Sequence, residues 1–127
     1  MADVNRGNRP LSPHLRIYRP ELNMVTSILT RITGNGLIVG ALLVTWWLVA
    51  AAAGPEAFAL ADGVITSWFG DLVVFLSLWA LWYHTLAGVR HLYWDTGRGF
   101  SLDQVNILGW GVVGGSVVLT ILTALIV

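Results

Sequence analysis

Two of the three histidines in this sequence, His84 and His91, lie seven residues apart with Gly88 between them. Seven residues are close to two turns of an α-helix, so in a helix both imidazoles and the glycine share one face. The glycine opens a flat slot beside the helix, and a porphyrin needs such a slot and an imidazole nitrogen that binds its iron. The alternative is an imidazole hydrogen-bonded to a neighbouring Ser or Thr. The spacing alone leaves both roles open for His84.

The two histidines cannot bind the same iron, because a haem is held from opposite faces and His84 and His91 project from one helix. The remaining histidine, His14, precedes the first long apolar segment. A haem with two histidine ligands would therefore take the second from another chain. His91 and Arg90 follow the apolar run, where a cation or a hydrogen-bond donor suits the anionic haem propionates. For Arg90 alone we prefer the interpretation of an ordinary arginine that fixes membrane topology.

A second pair, Ser27 and Arg31, is four residues apart and lies on one helical face. A hydroxyl donor and a fixed guanidinium suit a quinone head group, because its carbonyl oxygens accept hydrogen bonds and gain negative charge on reduction. The simpler alternative is that Ser27 caps a helix and Arg31 extends to the lipid headgroups. The spacing by itself favours that alternative.

These residues belong to a chain of 127 residues that is 56% hydrophobic and only 11% charged. Soluble domains contain roughly 25% charged residues, so part of the surroundings of this chain must be lipid. The formal net charge is zero, which argues against nucleic acid as a partner. The chain has no cysteine, which excludes disulfides and thiolate metal sites.

Three apolar segments are long enough to cross a bilayer, which takes about 20 residues of helix. We predict an all-α integral membrane protein with three transmembrane helices, because isolated strands cannot span lipid. The predicted order is a segment that includes the start of the first helix (1–33), the first span (34–53), a loop (54–71), the second span (72–92), a loop (93–106) and the third span (107–127). Two GxxxG pairs, Gly36 with Gly40 and Gly111 with Gly115, could let the first and third helices approach closely, although glycine is common in membrane helices generally.

Positive charge marks one side of the membrane. The seven cations are all arginines and flank the same ends of the spans, at Arg6, Arg9, Arg16, Arg19, Arg31, Arg90 and Arg98. The loop 54–71 carries three carboxylates and no cation. The positive-inside rule therefore predicts that the N-terminus and the loop 93–106 are cytoplasmic, and that the loop 54–71 and the C-terminus are periplasmic. Residues 1–9 resemble neither a signal peptide nor a transit peptide, which favours a bacterial inner membrane over a mitochondrial one.

Two ordered motifs lie at the start of the first span and at the end of the second. The first contains RPLSPHL at residues 9–15, Ile17 with Tyr18, and SILTRITG at residues 27–34. The second is YHTLAGVRHLYWD at residues 83–95. The first resembles the N-terminal signature of the cytochrome b subunit of succinate dehydrogenase, and the second is similar to the haem-helix motif of that family. With three spans at the expected positions, the resemblance covers nearly the whole chain.

The resemblance implies a heterodimeric helical anchor, in which this chain pairs with a second three-helix membrane subunit. It implies that the two hold a flavoprotein and an iron–sulfur subunit on the cytoplasmic face, and that electrons from succinate reach ubiquinone. It also implies one haem b, with His84 as an axial ligand and the other axial histidine supplied by the partner anchor. Ser27 and Arg31 match quinone-site positions, while Arg31, Gly88 and His91 match positions near the haem propionates.

One position departs from the pattern, since some members carry a histidine where this chain has Thr30. Thr30 therefore removes one contact that a histidine could make to a haem propionate or in a proton relay. Two alternatives to a succinate dehydrogenase anchor also remain at this stage. One is the anchor of a fumarate reductase, which has the same general architecture and the reverse reaction. The other is a non-redox membrane scaffold, which the glycine pairs and the scarcity of charge would also fit.

Overall fold

A computed structural model describes residues 18–127, which form four helices. They are α1 (Leu22–Ala53), α2 (Pro55–Ile65), α3 (Trp68–Asp95) and α4 (Leu102–Ile126). Three of them, α1, α3 and α4, are 32, 28 and 25 residues long and apolar enough to cross a membrane. The prediction of an all-helical chain with three long apolar helices is confirmed for this part of the chain. His14 and the arginines at 6, 9 and 16 lie outside the described residues.

The ends of the helices follow from local sequence. Gly54 ends α1 with a φ of 131°, a conformation that costs little only in glycine. Pro55 then begins α2, since proline at the first helical position gives up no hydrogen bond. Ser67 and Ser101 cap α3 and α4, and each hydroxyl accepts a hydrogen bond from the backbone amide three residues later. The connections between consecutive helices are therefore short.

The segment between the first two spans, predicted as a loop, contains the helix α2. A Gly-Pro pair is typical of the end of a helix, but here Pro55 also begins the next one. Two contacts hold α2 against α1. The indole Nε1 of Trp47 donates to Oδ1 of Asp62 at 3.1 Å, and the Trp47 ring lies 5.4 Å from that of Phe58.

The turn from α2 into α3 depends on Gly70. A Cβ at this position would overlap the backbone carbonyls of Val64 and Ile65, which cannot move aside as a flexible side chain could. We expect Gly70→Ala to destabilise the fold by about 1–3 kcal/mol, as overpacking does elsewhere, and to lower the melting temperature of the purified protein in detergent. Gly63→Ala in α2 is the matched control, because a Cβ there meets no atom within 4 Å. Equal melting temperatures for the two variants would contradict this account of the turn.

Helix α3 packs against both α1 and α4, and its buried face is made mostly of small residues. Ala80, Tyr83 and Ala87 are buried on α3, and Val112 of α4 packs against them. Most large apolar side chains of residues 18–127 are exposed instead. Membrane helices pack through small residues and leave large apolar ones to lipid or other subunits, which is the pattern seen here.

The glycine pairs do not bring α1 and α4 together as the sequence suggested they could. A Cβ at Gly40 would lie 3.0 Å from the Ser77 hydroxyl, and one at Gly115 would lie 3.0 Å from Leu86, so both glycines face α3. A Cβ added at the other member of each pair, Gly36 or Gly111, would meet no atom within 4 Å. One glycine of each pair therefore allows close packing on α3, and the other leaves open space.

Candidate functional site

His84 of α3 is half-buried against one turn of α1. Its Nδ1 lies 3.2 Å from the backbone carbonyl of Thr30 and 3.5 Å from the hydroxyl of Thr33. A Cβ at Gly34 would lie only 3.1 Å from Cε1 of the ring, so the imidazole occupies the space that this glycine leaves. These three α1 residues share one helical face, which explains why they meet the same ring.

The contact with Thr30 determines which nitrogen of His84 is available. A carbonyl oxygen only accepts, so Nδ1 must carry the proton when this hydrogen bond forms. The neutral imidazole then has its lone pair on Nε2, where it can bind a metal ion. A ligating histidine commonly donates its other nitrogen to a carbonyl in this way. The two roles that the sequence left open are therefore compatible, with Nδ1 hydrogen-bonded to α1 and Nε2 able to act as a ligand.

Gly88 and His91 continue the same face of α3 beyond His84, and both are exposed. A Cβ at Gly88 would meet nothing within 4 Å, so there is open space beside the helix at this position. His91 donates from Nδ1 to the carbonyl of Ala87 at 2.7 Å, and its ring meets Trp94 edge-on at 5.3 Å. Its other nitrogen, Nε2, makes no hydrogen bond to any residue within 18–127.

Ser27 and Arg31 lie within the first three turns of α1, where Ser27 is half-buried and Arg31 is exposed. Helix α1 begins at Leu22 with Glu21 at the N-cap, so the alternative that Ser27 caps the helix is wrong. Neither side chain hydrogen-bonds to another residue within 18–127. Thr30, whose carbonyl contacts His84, lies between the two in sequence. The structure thus brings the Ser27–Arg31 turn next to the histidine, without direct contact between these side chains and the ring.

A buried cluster around Thr26 was not predicted from the sequence. The Tyr83 hydroxyl donates to the Thr26 carbonyl at 3.0 Å, and Nη1 of Arg90 donates to the Thr26 hydroxyl at 3.2 Å. Arg90 is only 5% exposed, and its guanidinium lies 4.8 Å from the ring centroid of Trp94. The interpretation of Arg90 as an arginine with only a topological role is therefore corrected, because its side chain joins α3 to α1.

A signal for this cluster does exist in the sequence. Thr26, Thr30 and Thr33 recur at helical spacing on α1, and Tyr83 and Arg90 are seven apart on α3. Polar groups at matching spacing on two membrane helices indicate that the helices bond to each other. The cluster fixes how α1 sits on α3, and hence where Thr30 meets His84.

Among residues 18–127, no three His, Cys, Asp or Glu side chains come together as a metal site would require. His84 therefore offers one imidazole rather than part of a cluster of protein ligands, and there is open space beside it at Gly88. This combination fits a haem of which one axial ligand comes from this chain, because porphyrin nitrogens supply the other bonds to iron.

Comparison with known proteins identifies what the chain resembles. Residues 5–123 match the family of succinate dehydrogenase/fumarate reductase transmembrane subunits. The chain is 56% identical over 126 residues to the succinate dehydrogenase cytochrome b556 subunit of Paracoccus denitrificans, covering 99% of this chain and 97% of the relative. It is 42% identical over 114 residues to the same subunit of Rickettsia conorii, covering 90% and 89%. It is 36% identical over 122 residues to the mitochondrial cytochrome b560 subunit of Bos taurus, covering 92% and 68%.

Proposed function

Since the chain belongs to the succinate dehydrogenase cytochrome b subunits, the membrane anchors of complex II, we propose that it binds haem b through His84 and forms part of the ubiquinone-reduction site. The observation that carries this proposal is the hydrogen bond from Nδ1 of His84 to the Thr30 carbonyl. It fixes the ring orientation and leaves Nε2 free. Haem, when bound, supplies a one-electron carrier within the membrane.

A haem bound at His84 would need a second histidine from another chain, which a second membrane anchor subunit would supply. His91 cannot take that role, because it lies on the same helix as His84 and cannot reach the opposite face of the porphyrin. A haem bound at His84 would have the open space at Gly88 beside it, and the exposed side chains of His91 and Arg31 would hold its propionates. The names of the relatives support a b-type haem, since each is a cytochrome b subunit.

Ser27 and Arg31 contribute to the quinone site. The exposed Arg31 guanidinium has no hydrogen-bond partner within residues 18–127, so it is available to stabilise negative charge on the quinone oxygen during reduction. The Ser27 hydroxyl can donate a hydrogen bond to the same head group. Both lie within one turn of Thr30, which keeps the quinone close to the haem that His84 holds.

The N-terminal end of α1 and the connection between α3 and α4 face the cytoplasm of a bacterium, where the iron–sulfur and flavoprotein subunits dock. The distribution of the seven arginines supports this orientation. Electrons then enter the membrane at the end where Ser27 and Arg31 lie. Succinate itself is oxidised on a partner subunit, because this chain has neither cysteines for a cluster nor a glycine-rich nucleotide loop.

The family description includes fumarate reductase, which runs the reaction in reverse. The relatives reported above are all succinate dehydrogenase subunits, and this favours succinate oxidation. Membership of this family removes the support for a non-redox scaffold.

A substitution at Gly34 tests the role of His84 without touching the histidine. We expect Gly34→Leu to displace the imidazole, because even a Cβ there would lie 3.1 Å from Cε1. Such overpacking costs about 1–3 kcal/mol, so haem affinity should fall roughly tenfold or more. The measurement is the haem content of the purified complex, as the pyridine haemochrome, against the amount of the iron–sulfur subunit.

Gly36→Leu is the control, since Gly36 is on the same helix and a Cβ there meets no atom within 4 Å. It should retain normal haem. If both variants hold haem equally well, the proposed position of the ligand is wrong.

A further inference from the structure

A groove runs between α3 and α4 at the ends of these helices that we place in the cytoplasmic half of the membrane. Its deeper part has a volume of about 340 Å³ and is lined by Leu86, Val89, Arg90 and Tyr93 of α3 and by Gly111 and Val112 of α4, together with Leu108. A shallower hollow of about 190 Å³ shares Tyr93 and Leu108 with it and extends to Gln104 near the start of α4. Both hollows lie between the same two helices and have mostly apolar linings.

Arg90 is the one charged side chain that lines this groove within residues 18–127. The residue is only 5% exposed, its Nε has no hydrogen-bond partner among those residues, and none of their carboxylates pairs with it. Its described partners are the Thr26 hydroxyl and the Trp94 ring. A buried guanidinium with a spare donor is costly unless an anion balances it, and the described residues around it provide none.

The groove lies on the side of α3 opposite the proposed haem face. His84, Gly88 and His91 follow one face, whereas Leu86 and Tyr93 are about half a turn away from it at 100° per residue. A partner anchor that shares the haem therefore covers the His84 face and leaves the groove open to lipid. This step rests on the proposed function.

We infer that this groove binds one anionic phospholipid, with an acyl chain along the apolar wall and the phosphate toward Arg90. Arg90 lies five residues before the end of α3, or about 7.5 Å along the helix, which is a headgroup depth for a span of this length. Gln104, at the mouth of the groove, adds an amide that can bond to the headgroup. The side-chain-free position Gly111 provides the width that an acyl chain needs.

The test uses the whole complex in nanodiscs that contain equal amounts of phosphatidylglycerol and phosphatidylcholine, followed by extraction into detergent and native mass spectrometry of the retained lipid. Wild type should keep phosphatidylglycerol in preference to phosphatidylcholine. Gly111→Leu should lower that retention on the order of tenfold, because the new side chain fills the groove without meeting any protein atom near its Cβ. Gly114→Leu is the matched control, since it is also on α4, has equally open surroundings and does not line the groove, so it should retain the lipid.

Arg90→Gln tests the charge, and should abolish the preference for phosphatidylglycerol, because hydrogen bonds to charged groups are the strong ones. If this variant fails to assemble, the comparison of Gly111→Leu with Gly114→Leu decides. Equal retention in those two variants overturns the proposal, and so does equal retention of both lipids by wild type. The haem spectrum of the same samples separates the two proposals, since a normal haem signal with no lipid effect removes only the lipid site.

Discussion

Replacement of His84 by alanine is expected to remove haem b from the purified complex. The ring lies within an apolar helix long enough to cross a membrane, and its Nε2 is left free by the hydrogen bond from Nδ1 to Thr30. Loss of a group that merely orients a ligand weakens metal binding by about 10–100-fold, so loss of the ligand itself should weaken it at least as much. The dithionite-reduced minus oxidised absorption spectrum, scaled to the amount of complex, measures the effect.

His91→Ala is the matched control. It removes an imidazole seven residues further along the same face, and His91 is exposed and bonded within its own helix. This variant should keep haem, with at most a changed absorption or potential from the loss of a propionate contact. A reduced haem signal that survives in His84→Ala would show that His84 is not the axial ligand.

Substitution of Arg31 by alanine is expected to slow quinone reduction while succinate oxidation with a soluble artificial acceptor stays nearly intact. The loss of one preorganised donor at a site of developing negative charge typically costs about a hundredfold in rate. Arg31 is exposed and makes no side-chain hydrogen bond within residues 18–127, so its removal should leave the helix packing undisturbed. The two activities are measured on the same preparation, with ubiquinone and with the artificial acceptor.

Asn35→Ala controls for a local change in α1. Asn35 is one turn from Arg31, is exposed, and its side chain donates to the Arg31 carbonyl at 3.0 Å. It should reduce quinone at close to the wild-type rate. Equal loss of both activities in Arg31→Ala would indicate failed assembly, and an unchanged quinone rate would remove Arg31 from the site.

Much of the fold follows directly from the sequence, because long uncharged segments have few solutions in lipid. Such a segment can only be a helix, and an imidazole in the middle of one needs a partner or a ligand. Both statements depend on composition along a single segment. The composition of each segment was therefore enough to predict the three apolar helices and to identify His84 as a candidate ligand.

The contacts between helices could not be predicted in the same way. The rotation of α1 against α3 decides that Thr30 offers its carbonyl to His84 and that Gly34 admits the ring. That rotation is set by the buried cluster of Thr26, Tyr83 and Arg90. An arginine near the end of a span has the same sequence surroundings whether it reaches the lipid headgroups or turns inward. The burial of Arg90 therefore could not be predicted from the sequence of α3 alone.

Helix α2 illustrates a different difficulty. Gly54 ends α1 and Pro55 begins α2. The same Gly-Pro pair is expected where a helix is followed by a loop, so it does not by itself predict a second helix. The contact of Trp47 with Asp62, fifteen residues later, stabilises the second helix, and that pairing appears only in three dimensions.

The most direct measurement is a density map of the assembled complex, in which the iron can be located relative to the rings of this chain. We expect iron bonded to Nε2 of His84, with the Thr30 carbonyl still on Nδ1 and the porphyrin edge in the open space at Gly88. A haem whose two axial ligands both come from elsewhere, with His84 in contact only with side chains and lipid, would contradict it.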